Sequence, residues 1–101
     1  MKKIGSYDRI YQIIRNIPRG KVATYKLISQ IEGTCTPRMV GYALSKSKPN
    51  MNLPWHRVIN SRGEISLKDE ESMLLQKDML ESEGVVFASN KINLGVFMWK
   101  P

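Results

Sequence analysis

Cysteine and histidine are nearly absent from this chain, which has only Cys35 and His56. A single cysteine excludes an internal disulfide. One cysteine with one histidine falls short of a four-ligand zinc site, so no metal and no cofactor is expected. No run of about 18 apolar residues occurs, so no membrane span is expected. The opening residues Met1-Lys2-Lys3-Ile4-Gly5 lack the apolar stretch of a secretory signal. Internal repeats, low-complexity tracts and linkers are also lacking, and 101 residues fit a single domain spanning 1–101. Such a chain can fold alone around a small core.

Acidic residues are scarce in the first half. Residues 1–50 hold ten basic and two acidic side chains, and residues 51–101 hold six and seven. The first half thus carries +8 and the second −1, which together make the net charge of +7. No acid falls between Glu32 and Glu64, an interval that contains Arg38, Lys46, Lys48, Arg57 and Arg62. Charge alone fits a polyanion partner and a merely soluble basic surface equally well.

Hydrophobic spacing supplies the elements. Ser6 is a candidate cap for a first helix, in which Tyr7, Ile10, Tyr11, Ile14 and Ile17 recur on one face. Ile17-Pro18-Arg19-Gly20 ends it. Thr24 caps a short helix from Tyr25 to Ile31, with Leu27, Ile28 and Ile31 inward. Glu32-Gly33-Thr34-Cys35 is the turn, Thr36 caps a third helix, and Pro37 suits its first turn. Val40, Ala43 and Leu44 face the core. Two short helices around a Gly-containing turn form a helix-turn-helix candidate, a weak signal by pattern alone. Gly41 costs helix stability, so something must approach it closely, from the core or from a ligand. Ser45 to Leu53 reads as a polar loop. Val58-Ile59, Asn60-Ser61-Arg62-Gly63 and Glu64-Ile65 read as a hairpin. Asp69 precedes a fourth helix reaching about Glu83, with Met73, Leu74, Lys77 and Leu80 along one stripe and Gly84 at C′. The tail from Val85 to Pro101 suits a short strand or extended docking, with Trp99 packed.

The most specific stretch is Pro54-Trp55-His56-Arg57-Val58. It resembles the Pro-Cys-His-Arg-Val site of the O6-alkylguanine-DNA alkyltransferases, with Trp55 at the cysteine. An indole N–H donates a hydrogen bond and offers no nucleophilic lone pair, whereas a thiolate is a strong nucleophile. Ile17 to Tyr25 resembles the family's IPxGxVxTY segment, Pro37 to Leu44 its xRxVGxAL, and Leu80 to Gly84 its LLxxEG. The motifs come in family order over roughly residues 7–85. A tryptophan for the cysteine, and the closing Met98-Trp99-Lys100-Pro101, are similar to the alkyltransferase-like proteins.

The resemblance implies an α+β, mainly helical fold: a winged-helix-like alkyltransferase C-terminal domain with a helix-turn-helix and a small β-hairpin. It implies a non-enzymatic sensor that binds O6-alkylguanine in duplex DNA through the minor groove. The sensor flips the base into a pocket, bends the duplex and flags it for nucleotide-excision repair. The implied partners are that DNA and nucleotide-excision-repair proteins. A monomer is expected, in the cytoplasm, on the nucleoid of a bacterium or in the nucleus of a eukaryote.

By the same resemblance Arg38 is the finger that fills the gap left by the extruded nucleotide, and Tyr25 crowds the neighbouring phosphate. Thr36 and Gly41 stand on the DNA side of the third helix. Pro54, Trp55, His56, Arg57 and Lys68 form the lesion pocket, and Glu83 is the remnant of a proton relay. The chain departs from the transferases at Ser47 and Lys48, neither of which is their asparagine. It departs again at Ile65-Ser66-Leu67-Lys68, which replaces a glycine-rich stretch. Two other readings compete. Cys35 could serve as a different nucleophile, or the chain could be a helix-turn-helix regulator. The third helix offers the regulator only Met39, Gly41, Tyr42 and Ser45 beyond Arg38, a poor set for reading base edges.

Overall fold

The computed structural model describes residues 6–101, with side chains from residue 7 onward. The Ser6 side chain, expected to cap the first helix, therefore lies outside the described residues. Helix α1, Ser6–Arg15, places Ile10 and Ile14 at complete burial. It ends in a tighter turn in which Ile17 N–H donates to Ile14 C=O at 3.1 Å, and this keeps Ile17 inside after the helix proper stops.

Helices α2, Tyr25–Glu32, and α3, Pro37–Lys46, pack on α1. Both caps match expectation: Thr24 Oγ1 accepts from Leu27 N–H at 3.0 Å, and Thr36 Oγ1 from Met39 N–H at 3.2 Å. Gly33 ends α2 at φ 92°, a left-handed conformation that L side chains resist. Arg9 Nε donates to Glu32 Oε2 at 2.8 Å and Arg9 Nη2 to Thr34 Oγ1 at 3.3 Å, which ties this turn to α1. Tyr11 Oη donates to Ala43 C=O at 2.6 Å and locks α3. Two details differ from expectation. Ile31, expected inward, is 39% exposed, while Ile28 and Ser29 are buried and Leu27 packs on the core. Ser45 belongs to α3 rather than to the loop.

Strand β1, Ala23–Thr24, pairs in parallel with β2, Val58–Ile59, with Ala23 opposite Val58. The expected hairpin after β2 does not form. Asn60 Oδ1 accepts from the N–H groups of Arg62 and Glu64 at 2.9 and 3.0 Å, so the chain curls into a closed loop instead of a ladder. Gly63 then meets the tail: a Cβ on it would lie 2.5 Å from Ile92 O, while Ile92 N–H donates to Gly63 C=O at 2.8 Å.

The hairpin is later in the chain, between β3, Phe87–Ala88, and β4, Lys91–Ile92, around Ser89 and Asn90 at φ 53° and 64°. Between the Asn60 loop and this hairpin stands α4, Glu70–Ser82, capped by Asp69 Oδ2 on Ser72 N–H at 2.9 Å, with Gly84 following at φ 96°. The expected α4 stripe is corrected. Gln76 and Leu80 are buried, while Met73 and Leu74 are exposed. After α5, Leu94–Phe97, Trp99 N–H donates to Val22 C=O at 2.8 Å, and its side chain packs on the main core as expected.

Two apolar clusters result. Ile10, Ile14, Ile17, Ile28, Val40 and Ala43 join α1, α2 and α3. Val22, Ile59, Leu80, Val85 and Ile92 fill the space beneath the parallel pair. Truncating one such isoleucine to alanine costs about 2–5 kcal/mol. Among the described residues no helix is long and apolar enough to cross a membrane.

Candidate nucleic-acid interface and lesion cleft

The segment between α3 and β2 positions the central tryptophan. Pro54 fixes the entry, Trp55 N–H donates to Leu53 C=O at 2.8 Å, and residues Trp55–Arg57 form one tight 3-10 turn. The turn splits its side chains between two sides. Trp55 stands half-buried in a cleft of about 230 Å³, lined also by Tyr25, Gly41, Leu44, Ser47, Leu67 and Gln76. Pro54, His56 and Arg57 face a separate shallow depression with Arg15 and Met79. The structure thus brings Tyr25, Gly41 and Trp55 to one cleft and leaves the other three outside it. Lys68 is exposed, and its neighbour Leu67 is the residue that lines the cleft.

Behind the tryptophan, one carboxylate organises three segments. Glu83 Oε2 accepts from His56 Nε2 at 2.7 Å and from Arg57 Nη2 at 2.7 Å, and Oε1 accepts from Gly20 N–H at 2.9 Å. Arg57 Nη1 also donates to Ile17 C=O at 2.9 Å. Burial alone would raise the Glu83 pKa. The Arg57 hydrogen bonds, the Gly20 N–H and His56 outweigh burial and hold the carboxyl at about 2. His56 Nε2 faces Glu83, and its Nδ1 is buried with no partner among the described residues. The Trp55 ring meets the His56 ring edge-on, with centroids 6.1 Å apart. Trp55 has no thiol for a relay to activate, and the His56–Glu83 hydrogen bond braces the turn.

Gly41 lines the cleft from α3, and a Cβ placed on it would meet nothing within 4 Å. Core packing therefore does not explain this glycine. Arg38, one turn earlier, is exposed with its guanidinium 5.9 Å from the centre of the Tyr42 ring, and it joins no ion pair among the described residues. Thr36 is taken up by its cap hydrogen bond. Tyr25 Oη lies 3.1 Å from Ser66 Oγ, which links α2 to the loop before α4.

Gln76 is the residue that sequence reasoning missed. It is 2% exposed, and its Nε2 donates to His56 C=O at 2.9 Å and Val58 C=O at 3.1 Å. Its signal was a polar side chain one turn before Leu80 on the inward face, hidden by the misread stripe. Ser47 also lines the cleft, with Oγ donating to Leu44 C=O at 2.7 Å.

Cys35 is half-buried against the main core and does not line the cleft. Burial, then the hydrogen bond and charge of Glu32, push its thiol pKa up. Both effects disfavour the thiolate that nucleophilic attack needs.

Comparison with known proteins fits this geometry. The family model described as the 6-O-methylguanine DNA methyltransferase, DNA binding domain, matches residues 6–85. Alkyltransferase-like protein 1 of Schizosaccharomyces pombe is 43% identical over 94% of each chain. The DNA base-flipping protein of Escherichia coli is 37% identical over 98% of this chain and 78% of that one. The crystal structure of S. pombe Atl1 in complex with damaged DNA containing O6-carboxymethylguanine covers both chains fully, at TM-score 0.87 and 42% identity. A variant of Mycobacterium tuberculosis O6-methylguanine methyltransferase shares the fold, at TM-score 0.67 and 22% identity over 91% of this chain and 53% of that one. The chain belongs to the alkyltransferase-like proteins of the O6-alkylguanine-DNA alkyltransferase superfamily.

Proposed function

We propose that this protein is a non-enzymatic sensor of O6-alkylguanine in duplex DNA. The observation that carries the reading is the cleft itself, open beside Gly41 on α3 and walled by an indole at Trp55. In this account α3 lies in the minor groove and DNA sugars approach Gly41. Arg38 leaves the Tyr42 ring and enters the gap in the stack, where a guanidinium stacks on bases and bonds the orphaned partner. Tyr25 crowds the phosphate, and the extruded purine rests against Trp55. Lys68 supplies a cation at the cleft's edge. An alkylated pair is already weakened, so its extrusion costs less than that of an intact guanine. An inserted side chain kinks the duplex, and the bent complex is the signal for nucleotide-excision repair.

The relatives named as an alkyltransferase-like protein and a DNA base-flipping protein support this reading, as does a relative crystallised on damaged DNA. Transfer chemistry lacks a nucleophile. Trp55 has none, and the raised pKa and position of Cys35 disfavour it. The test is to incubate the protein with O6-methylguanine duplex, then weigh the intact protein and digest the DNA. The expected result is an unchanged protein mass and an intact lesion. Stoichiometric gain of one methyl group would overturn the non-enzymatic reading.

A further inference from the structure

Helix α4 has two different faces. Gln76 points into the lesion cleft, and Leu80 into the second apolar cluster. At about 100° per residue, Leu74 lies nearly opposite Gln76. Leu74 and Leu75 are 55% and 52% exposed, the most exposed large apolar side chains of α4. Glu70, Glu71, Asp78 and Glu81, all exposed, fall on the same outer side of the helix. Beside Leu74 is a groove of about 260 Å³ lined by Ile65, Met73, Lys77 and Phe87. Lys77 Nζ sits 5.4 Å from the centre of the Phe87 ring, and Glu64 on the same lining pairs with Lys91 Nζ at 3.9 Å. An apolar ridge beside an apolar groove, framed by carboxylates, is the pattern of a protein-binding surface.

We propose that the outer face of α4 docks a basic amphipathic helix of a partner protein: one apolar anchor in the groove, Leu74 and Leu75 against its apolar stripe, and lysines or arginines against the four acids. The charge selects this occupant. Carboxylates repel the phosphates of nucleic acid and of anionic lipid. A second copy joined through the same face would set acids against acids. A helix laid into a groove matches the shape, with spaced apolar residues as anchors. The outer face points away from the cleft, so the partner binds without displacing DNA. Only that simultaneity rests on the DNA reading; docking to the free protein does not.

The test uses the full chain and a synthetic helical peptide with leucines on one face and lysines elsewhere. A control peptide carries glutamates in place of the lysines. Amide NMR shifts are followed with and without O6-methylguanine duplex. Saturable binding is expected in both states, with shifts centred on residues 70–81 and 87. Leu74→Ser with Leu75→Ser should weaken the peptide about tenfold. Glu70→Lys with Glu71→Lys should reverse the preference between the peptides. Lesion-duplex affinity should stay within about twofold of the unmodified chain for the leucine pair. Shifts mapping elsewhere, indifference to the leucine pair, or equal binding of the glutamate peptide would overturn the proposal. So would concentration-dependent dimers abolished by Leu74→Ser, which would assign the face to a second copy. Peptide binding lost only when DNA is present, with free peptide corrected for its separately measured binding to the duplex alone, would overturn the simultaneity.

Discussion

Arg38 and Trp55 divide the proposed work of recognition. Arg38 is exposed and rests on Tyr42 before DNA arrives, so Arg38→Ala should leave thermal unfolding unchanged. It should cost well over tenfold in lesion affinity, more than Lys46→Ala, which removes only a phosphate-type charge. Matched titrations of the two variants check this, and similar losses would demote Arg38 to an ordinary basic contact. Trp55→Cys restores the Pro-Cys-His-Arg-Val stretch beside an intact His56–Glu83 hydrogen bond of 2.7 Å. Little or no methyl transfer is expected, because sulfur must align closely with the alkyl carbon and the flanking Ser47 and Leu67 are not transferase residues. Lesion affinity should fall with the lost indole wall. Intact mass after incubation reads the first effect and a titration reads the second. At this level the sequence was informative for Trp55 in the cleft and for the His56–Glu83 hydrogen bond, but not for Pro54, His56 and Arg57 as cleft residues, because the 3-10 turn sends them to its other side. It was silent on Gln76, whose importance lies in two backbone carbonyls that folding alone brings within reach.

Helix α3 offers a separable test of DNA approach. Gly41 has open space where a Cβ would go, so Gly41→Ala should stabilise the free protein by about 0.5–1 kcal/mol through helix propensity. The same change should weaken DNA binding, because the methyl group would enter the space where the proposal places the duplex. Chemical denaturation and a titration must move in opposite directions; a destabilised free protein would show that Gly41 serves the core. Gly63→Ala should do the reverse, destabilising the fold by crowding Ile92 O at a φ of 78°. The helices were legible because apolar spacing and the Thr24, Thr36 and Asp69 caps act within one or two turns. The strands were not. The β1–β2 pair joins residues more than thirty positions apart, and the side chain of Asn60 diverts the ladder that spacing alone predicts. The true hairpin turns on Ser89-Asn90 and lacks the Asn-Gly signature.

The molecule as a whole is polar in its charge. The first half carries α1 to α3 and the whole net basic excess, and α4 carries four acids. Glu83 links the halves, joining α4 to the Gly20 turn and to the Trp55–Arg57 turn. Its carboxyl is held at about 2 against an ordinary 4.5, so its folded pKa lies below its unfolded one. The resulting stability is fully present above about pH 5 and is lost as pH falls from there toward 2. Denaturant midpoints across that range should fall for the native chain and fall less steeply for Glu83→Gln, in which Glu32 and Asp69 still carry lowered pKa values. Charge asymmetry was legible from the sequence; the direction in which each half faces required the fold. The basic half also sets how binding responds to salt. The decisive measurement is a titration, at two salt concentrations, of one duplex with and without a single O6-methylguanine. The account predicts at least about tenfold tighter binding to the damaged duplex at moderate salt, with both affinities falling as salt rises. Equal affinity for the two duplexes would contradict it.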